Sequence, residues 1–109
     1  MLQQQGPEMV DEIELRVRVL LAVQHSLLGS VGRNLRAVTC SWSDSDITVR
    51  AIFDLAVSET DKENMSEVET EIMSHFPGQS VAVSCTRLDA PALIRADPNE
   101  VFVFKRRED

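Results

Sequence analysis

The chain has 109 residues, of which 43% are hydrophobic and 27% are charged, a composition typical of one soluble globular domain. Its formal net charge is −7. Nucleic acids and anionic membrane surfaces would repel such a protein, so neither is an expected partner. The longest apolar-rich run, 17–23, is interrupted by Arg18 and is too short to span a bilayer. Residues 1–9 lack the basic and apolar regions of a secretory signal, so we expect a cytoplasmic protein with reduced thiols.

The predicted elements begin after a flexible N-terminal segment, residues 1–9, which is polar and contains Gly6-Pro7. We expect a single domain over 10–106, followed by a charged and frayed C-terminus over 107–109. A helix is predicted from Val10 until Gly29 stops it. Its apolar residues surround so much of the helix that we expect burial along most of its length against a sheet. The main ones are Val10, Ile13, Val17, Leu20, Leu21, Leu27 and Leu28.

Four segments have the composition of β-strands: 35–42, 47–54, 80–88 and 101–106. The first two are joined by a short polar turn, 43–46, and should form a hairpin. The segment 89–100 contains two prolines and should be irregular, with its residues Leu93 and Ile94 packed against the core.

The stretch 58–77 predicts a second helix. Ser58 with Asp61, and Thr60 with Glu63, both have the spacing of a capping box, and Pro77-Gly78 cannot continue a helix. Four apolar residues at helical spacing should face the core: Met65, Val68, Ile72 and Phe76. Four glutamates recur at intervals of four residues on another side, and we call them the acidic ridge: Glu59, Glu63, Glu67 and Glu71. Each like-charge pair costs about 0.2–0.5 kcal/mol, so the ridge is either a solvated face or a docking surface for a basic partner.

An internal match suggests the arrangement of these elements. Residues 37–41 (AVTCS) and 82–86 (AVSCT) correspond position by position, so the chain reads as helix–strand–strand twice. We therefore predict an α+β domain of order α-β-β-α-β-β, with a four-stranded antiparallel sheet and two helices on one face. Polar residues such as Thr39 and Arg50 should then lie on the other face.

No constellation of residues indicates a reaction. Cys40 and Cys85 lie in predicted strands and His25 and His75 near helix ends, so packing and helix-end stabilisation are the simpler interpretations. The paired short spacings of a zinc site are absent, and the turn that holds Asp44 and Asp46 lacks the other ligands of a calcium loop. We predict no catalytic residue, no metal and no cofactor.

Three segments carry a family resemblance: NLRAVTCSW (34–42), ITVRAIFD (47–54) and SETDKENMSEVETEIMSHFP (58–77). In this order they resemble small acidic bacterial proteins similar to the immunity proteins of contact-dependent-inhibition and polymorphic toxin systems. The resemblance covers about half of the chain. It implies a cytoplasmic protein that binds and neutralises a cognate toxin domain.

Three functions are considered, of which an enzyme that uses Cys85 and His75 is the least favoured, since it would need an accessible thiol that alkylates quickly near neutral pH. The first is a non-enzymatic, immunity-type module that binds a basic toxin domain, since many toxin domains are basic and opposite charges speed association. The alternative is a small scaffold or small-molecule regulatory module, for which a homodimer stays open. For the first function the predicted partner-binding residues are Glu59, Glu63, Glu67, Glu71, Asp44 and Asp46.

Overall fold

Two helices and four strands form in the predicted order. A computed structural model describes the backbone of residues 6–108 and the side chains of residues 11–108, and residues 1–5 and 109 lie outside the described part. The elements are α1 (Gly6–Ser26), β1 (Leu35–Trp42), β2 (Asp46–Phe53), α2 (Glu59–His75), β3 (Ser80–Arg87) and β4 (Val101–Lys105). α1 thus begins four residues before the predicted start at Val10.

The four strands form one mixed sheet with the order β3-β2-β1-β4. β1 is antiparallel to both β2 and β4, but β3 runs parallel to β2, from the pair Asp46↔Ser80 to the pair Phe53↔Arg87. The predicted all-antiparallel sheet is therefore wrong. The reason is that α2 is a crossover connection, which returns the chain to the starting end of β2, so that β3 must run in the same direction.

The internal match between 37–41 and 82–86 does not correspond to a repeated hairpin. β1 and β2 pair with each other, whereas β3 and β4 lie at opposite edges of the sheet. The match therefore reflects two strands of similar composition and not two equivalent units.

Both helices contribute to one hydrophobic cluster with the central strands, as predicted for helices on the same face. α1 buries Val19 and Val23, and α2 buries Val68 and Ile72. The sheet supplies Leu35, Val38, Cys40, Ile47, Val49, Ala51 and Phe53.

The other face of the sheet is covered by the 88–100 segment. Arg36, only 2% exposed, donates hydrogen bonds to the backbone oxygens of Leu88 and Ala92, at 2.6 and 2.9 Å. It also forms a bidentate pair with Glu108, at 2.7 and 2.8 Å, although Glu108 lies in the terminal segment predicted to fray. Leu93 is 70% exposed, so its predicted packing against the core is wrong.

A second pair fixes the far end of the same segment. The Arg50 guanidinium donates two hydrogen bonds to the Glu100 carboxylate, at 2.9 and 2.7 Å, and the buried Thr39 hydroxyl donates a third at 2.8 Å. The hydrogen bonds from Arg50 chiefly, joined by those from the Asp97 amide and Thr39, lower the pKa of Glu100 to about 2. Charge-assisted hydrogen bonds, more than apolar packing, therefore hold this segment on the sheet.

Candidate functional site

The position of α2 follows from its ends and its apolar face. The Ser58 side chain accepts from the Asp61 amide at 3.0 Å, and the Asp61 carboxylate accepts from the Ser58 amide at 3.1 Å, which confirms that predicted capping box. Met65, Val68 and Ile72 are buried against the sheet. Because this face is turned inward, the opposite side of the helix is directed to solvent.

The acidic ridge lies on this outward side, but its four members differ in their surroundings. Glu59 pairs with Lys62 at 3.5 Å, and Glu71 approaches His25 of α1 at 3.4 Å. Between them, Glu63 and Glu67 are exposed. No described residue forms an ion pair or hydrogen bond with either of these two side chains. They are the part of the ridge that is available to a partner.

The two remaining carboxylates of α2 stabilise the fold. Asp61 caps the helix, and Glu69 accepts a hydrogen bond from the Val83 amide of β3 at 2.9 Å. α2 carries six carboxylates and one lysine, so it holds most of the chain's net charge of −7. The largest share of the net negative charge therefore lies on α2.

Asp44 and Asp46 do not join the ridge. Asp44 lies beside the N-terminal half of α1, in a depression that it shares with Asp11 and Glu12. Asp46 accepts a hydrogen bond from the Ser45 hydroxyl at 3.0 Å. Neither aspartate lies on α2, and none of the residues that line the depression beside Asp44 belongs to the ridge. The predicted set of six is therefore not one continuous helix face.

α1 presents an apolar surface that sequence reasoning placed in the core. Four of its residues, which we call the apolar stripe, follow one side of the helix and its C-terminal turn at spacings of four, four and seven. They are Ile13, Val17, Leu21 and Leu28, which are 56, 48, 60 and 74% exposed. The predicted burial of α1 along most of its length is wrong for these positions.

The physical reason is that α1 is apolar on more than one side, while the domain covers only one of them. Val19, Val23 and Leu27 pack against the sheet, and the apolar stripe points away from it. An amphipathic helix on a sheet needs only one such face. The excess of apolar residues around α1 is therefore the signal in the sequence of a second apolar surface, and not of deeper burial.

The apolar stripe lies between two grooves. The groove toward α2 has a volume of about 460 Å³ and is lined by Arg18, Leu21, Ala22, His25, His75 and Phe76. A smaller one toward β4, of about 180 Å³, is lined by Gln24, Leu27, Leu28, Val31, Val103 and Phe104. His25, which lines the first groove, contacts Glu71 of α2, so the apolar stripe and the acidic ridge adjoin on the helical side of the domain.

Neither cysteine has the surroundings of an activated nucleophile. Burial raises the pKa of the Cys40 thiol to about 11 and also raises that of Cys85, which disfavours the reactive thiolate of both. Both cysteines are free, and β2 separates the strands that carry them. Within the described part of the chain, no group of three or more His, Cys, Asp or Glu side chains could hold a metal ion. None of the described helices is both long and apolar enough to cross a membrane.

Comparison with known proteins gives one family. The family model described as MafI2 immunity protein matches residues 16–108, from the middle of α1 to the end of the described chain. No curated protein matches this sequence.

Proposed function

Since the chain belongs to the MafI2 immunity protein family, we propose that it binds and neutralises a cognate toxin domain with a basic surface, through the acidic ridge of α2. The observation that carries this proposal is the pair Glu63 and Glu67. Both are exposed, and both lack a counter-charge among the described residues. Asp44 and Asp46 would then contribute to toxin binding only through long-range electrostatic attraction.

The energetics of the ridge support a basic partner. Neighbouring glutamates four residues apart on a helix repel each other by about 0.2–0.5 kcal/mol per pair. Lysine or arginine side chains of a partner would turn this repulsion into attraction and would also steer the encounter. Neutralisation of this kind requires binding alone, so the protein needs no reaction of its own.

The test is association of the full chain with a purified, inactivated domain of its cognate toxin. We expect Glu63→Lys combined with Glu67→Lys to slow association at least 10-fold at low salt, with a smaller effect at high salt because exposed charges are screened. The control is Asp97→Lys, which reverses one charge at an exposed position in the 88–100 segment, and it is compared with the single variants Glu63→Lys and Glu67→Lys.

The two results separate the alternatives. If the double variant and the control associate as fast as the unchanged protein, the ridge is an ordinary solvated face and the proposal of this interface fails. If the unchanged protein does not bind the toxin domain at all and instead forms a stable dimer, the scaffold function is favoured.

A further inference from the structure

From the geometry of α1 we infer that the apolar stripe, Ile13, Val17, Leu21 and Leu28, is the desolvated centre of the toxin-binding interface and that the acidic ridge of α2 is its charged rim. This inference rests on the proposed function and adds the surface that supplies most of the binding energy. The occupant is a basic protein domain with an apolar patch next to its basic residues.

The size of the stripe points to an interface. With exposures between 48 and 74%, its four side chains leave an apolar area on the order of 400 Å² in contact with water. The largest apolar patch of a monomer is typically of this size and is often functional. A standard interface buries about 800 Å² on each partner, so the stripe alone would fill about half of it.

The shape around the stripe suits a protein partner. The helix forms a ridge with one groove toward α2 and another toward β4. The groove toward β4 is mostly apolar, whereas the larger groove combines Leu21, Ala22 and Phe76 with the polar side chains of Arg18, His25 and His75. Interface residues that contribute most to affinity fill such pockets at the centre of a contact, where water is excluded. Leu21 lies on both features, since it belongs to the stripe and lines the larger groove.

The negative charge next to the apolar stripe favours a basic partner over a second copy of this chain. The adjoining helix α2 carries six carboxylates and one lysine, and His25 of the groove lining contacts Glu71 of that helix. A second copy of this chain would bring another net charge of −7 to the contact and would be opposed electrostatically. A basic domain would meet complementary charge at the rim and an apolar surface at the centre, the usual arrangement of an interface.

Two kinetic effects distinguish the centre from the rim. Rim charges act mainly on the association rate and its dependence on salt, whereas a buried apolar anchor acts mainly on the dissociation rate. We therefore expect Leu21→Ser to raise the dissociation rate from the inactivated toxin domain about 10- to 30-fold at any salt concentration. Because Leu21 is 60% exposed, the fold should tolerate this change, and an unaltered urea unfolding midpoint verifies it.

Leu93→Ser is the matched control, because Leu93 is 70% exposed on the 88–100 segment, which covers the other face of the sheet. If L21S and L93S dissociate at the same rate while the Glu63 and Glu67 variant still associates slowly, the stripe lies outside the interface. The inference then fails and the proposed function stands. If the unchanged protein does not bind the toxin domain, both fail.

A further measurement tests the competing occupant. Sedimentation velocity of the free protein should show a monomer over the micromolar range, with and without L21S. A dimer that L21S abolishes would show that a second copy covers the stripe, and this result would overturn the inference.

Discussion

Glu100 offers the sharpest test of how the 88–100 segment is held on the sheet. Its carboxylate accepts hydrogen bonds from the side chains of Arg50 and Thr39 and from the Asp97 amide, and only 11% of the side chain is exposed. The change Glu100→Gln removes the negative charge with little change in size. Arg50 would then lose its charged partner in a half-buried place.

The magnitude follows from the lowered pKa of Glu100, about 2 instead of 4.5. One pKa unit corresponds to about 1.4 kcal/mol, so the full shift would contribute about 3 kcal/mol to the free energy of unfolding. Arg50 is partly exposed and solvent screens the pair, so we expect Glu100→Gln to lower the free energy of unfolding by about 2 kcal/mol at pH 7.

The pH dependence gives the sign of the effect. Because the pKa is lower in the folded state, the stabilisation by Glu100 is complete above its unfolded pKa and decreases as the pH falls toward 2. The difference in the free energy of unfolding between the unchanged protein and Glu100→Gln should therefore be about half as large at pH 3.5 as at pH 7. Glu108, whose pKa the hydrogen bonds from Arg36 lower to about 2, titrates in both proteins, so its contribution should largely cancel in the difference.

Urea unfolding measures this effect through the fluorescence of Trp42, the single tryptophan of the chain. Glu63→Gln serves as the control, since it removes a charge from an exposed glutamate of α2 and should change stability by less than about 0.5 kcal/mol. The reasoning is refuted if Glu100→Gln destabilises no more than this control. It is equally refuted if the difference in the free energy of unfolding between the unchanged protein and Glu100→Gln is the same at pH 7 and at pH 3.5.

Two further predictions concern the edge of the sheet and the cysteines. Glu69→Ala frees the Val83 amide on the edge strand β3, so we expect this variant to self-associate with rising concentration in sedimentation velocity. The neighbouring control Glu67→Ala should stay monomeric. Equal behaviour of the two variants would contradict the view that Glu69 protects the edge of the sheet. Burial raises the pKa of Cys40 to about 11, so iodoacetamide at pH 7.5 should modify Cys40 far more slowly in the native protein than in urea, as followed by mass spectrometry. Native modification as fast as in urea would show that Cys40 is accessible.

Local sequence patterns determined the elements of this protein and their order. The capping box of Ser58 and Asp61, the four-residue spacing of the acidic ridge and the alternation in β2 involve only neighbours along the chain. Their physical causes, helix capping and side-chain periodicity, act within one element. The two helices, the four strands and the outward position of Glu63 and Glu67 were predictable for this reason.

The tertiary structure alone decided how these elements share surfaces. β3 runs parallel to β2 because α2 crosses over, and no local pattern in β3 specifies its direction. A helix that packs on a sheet contacts it with one side only, so the second apolar side of α1, the apolar stripe, stays outside the core. Arg36 and Arg50 find their carboxylates 72 and 50 residues away. The sequence shows that α1 has two apolar sides, but only the packing of distant segments decides which side is covered. In the same way, it shows that Arg36 and Arg50 are present, but only the fold decides which carboxylate each one reaches.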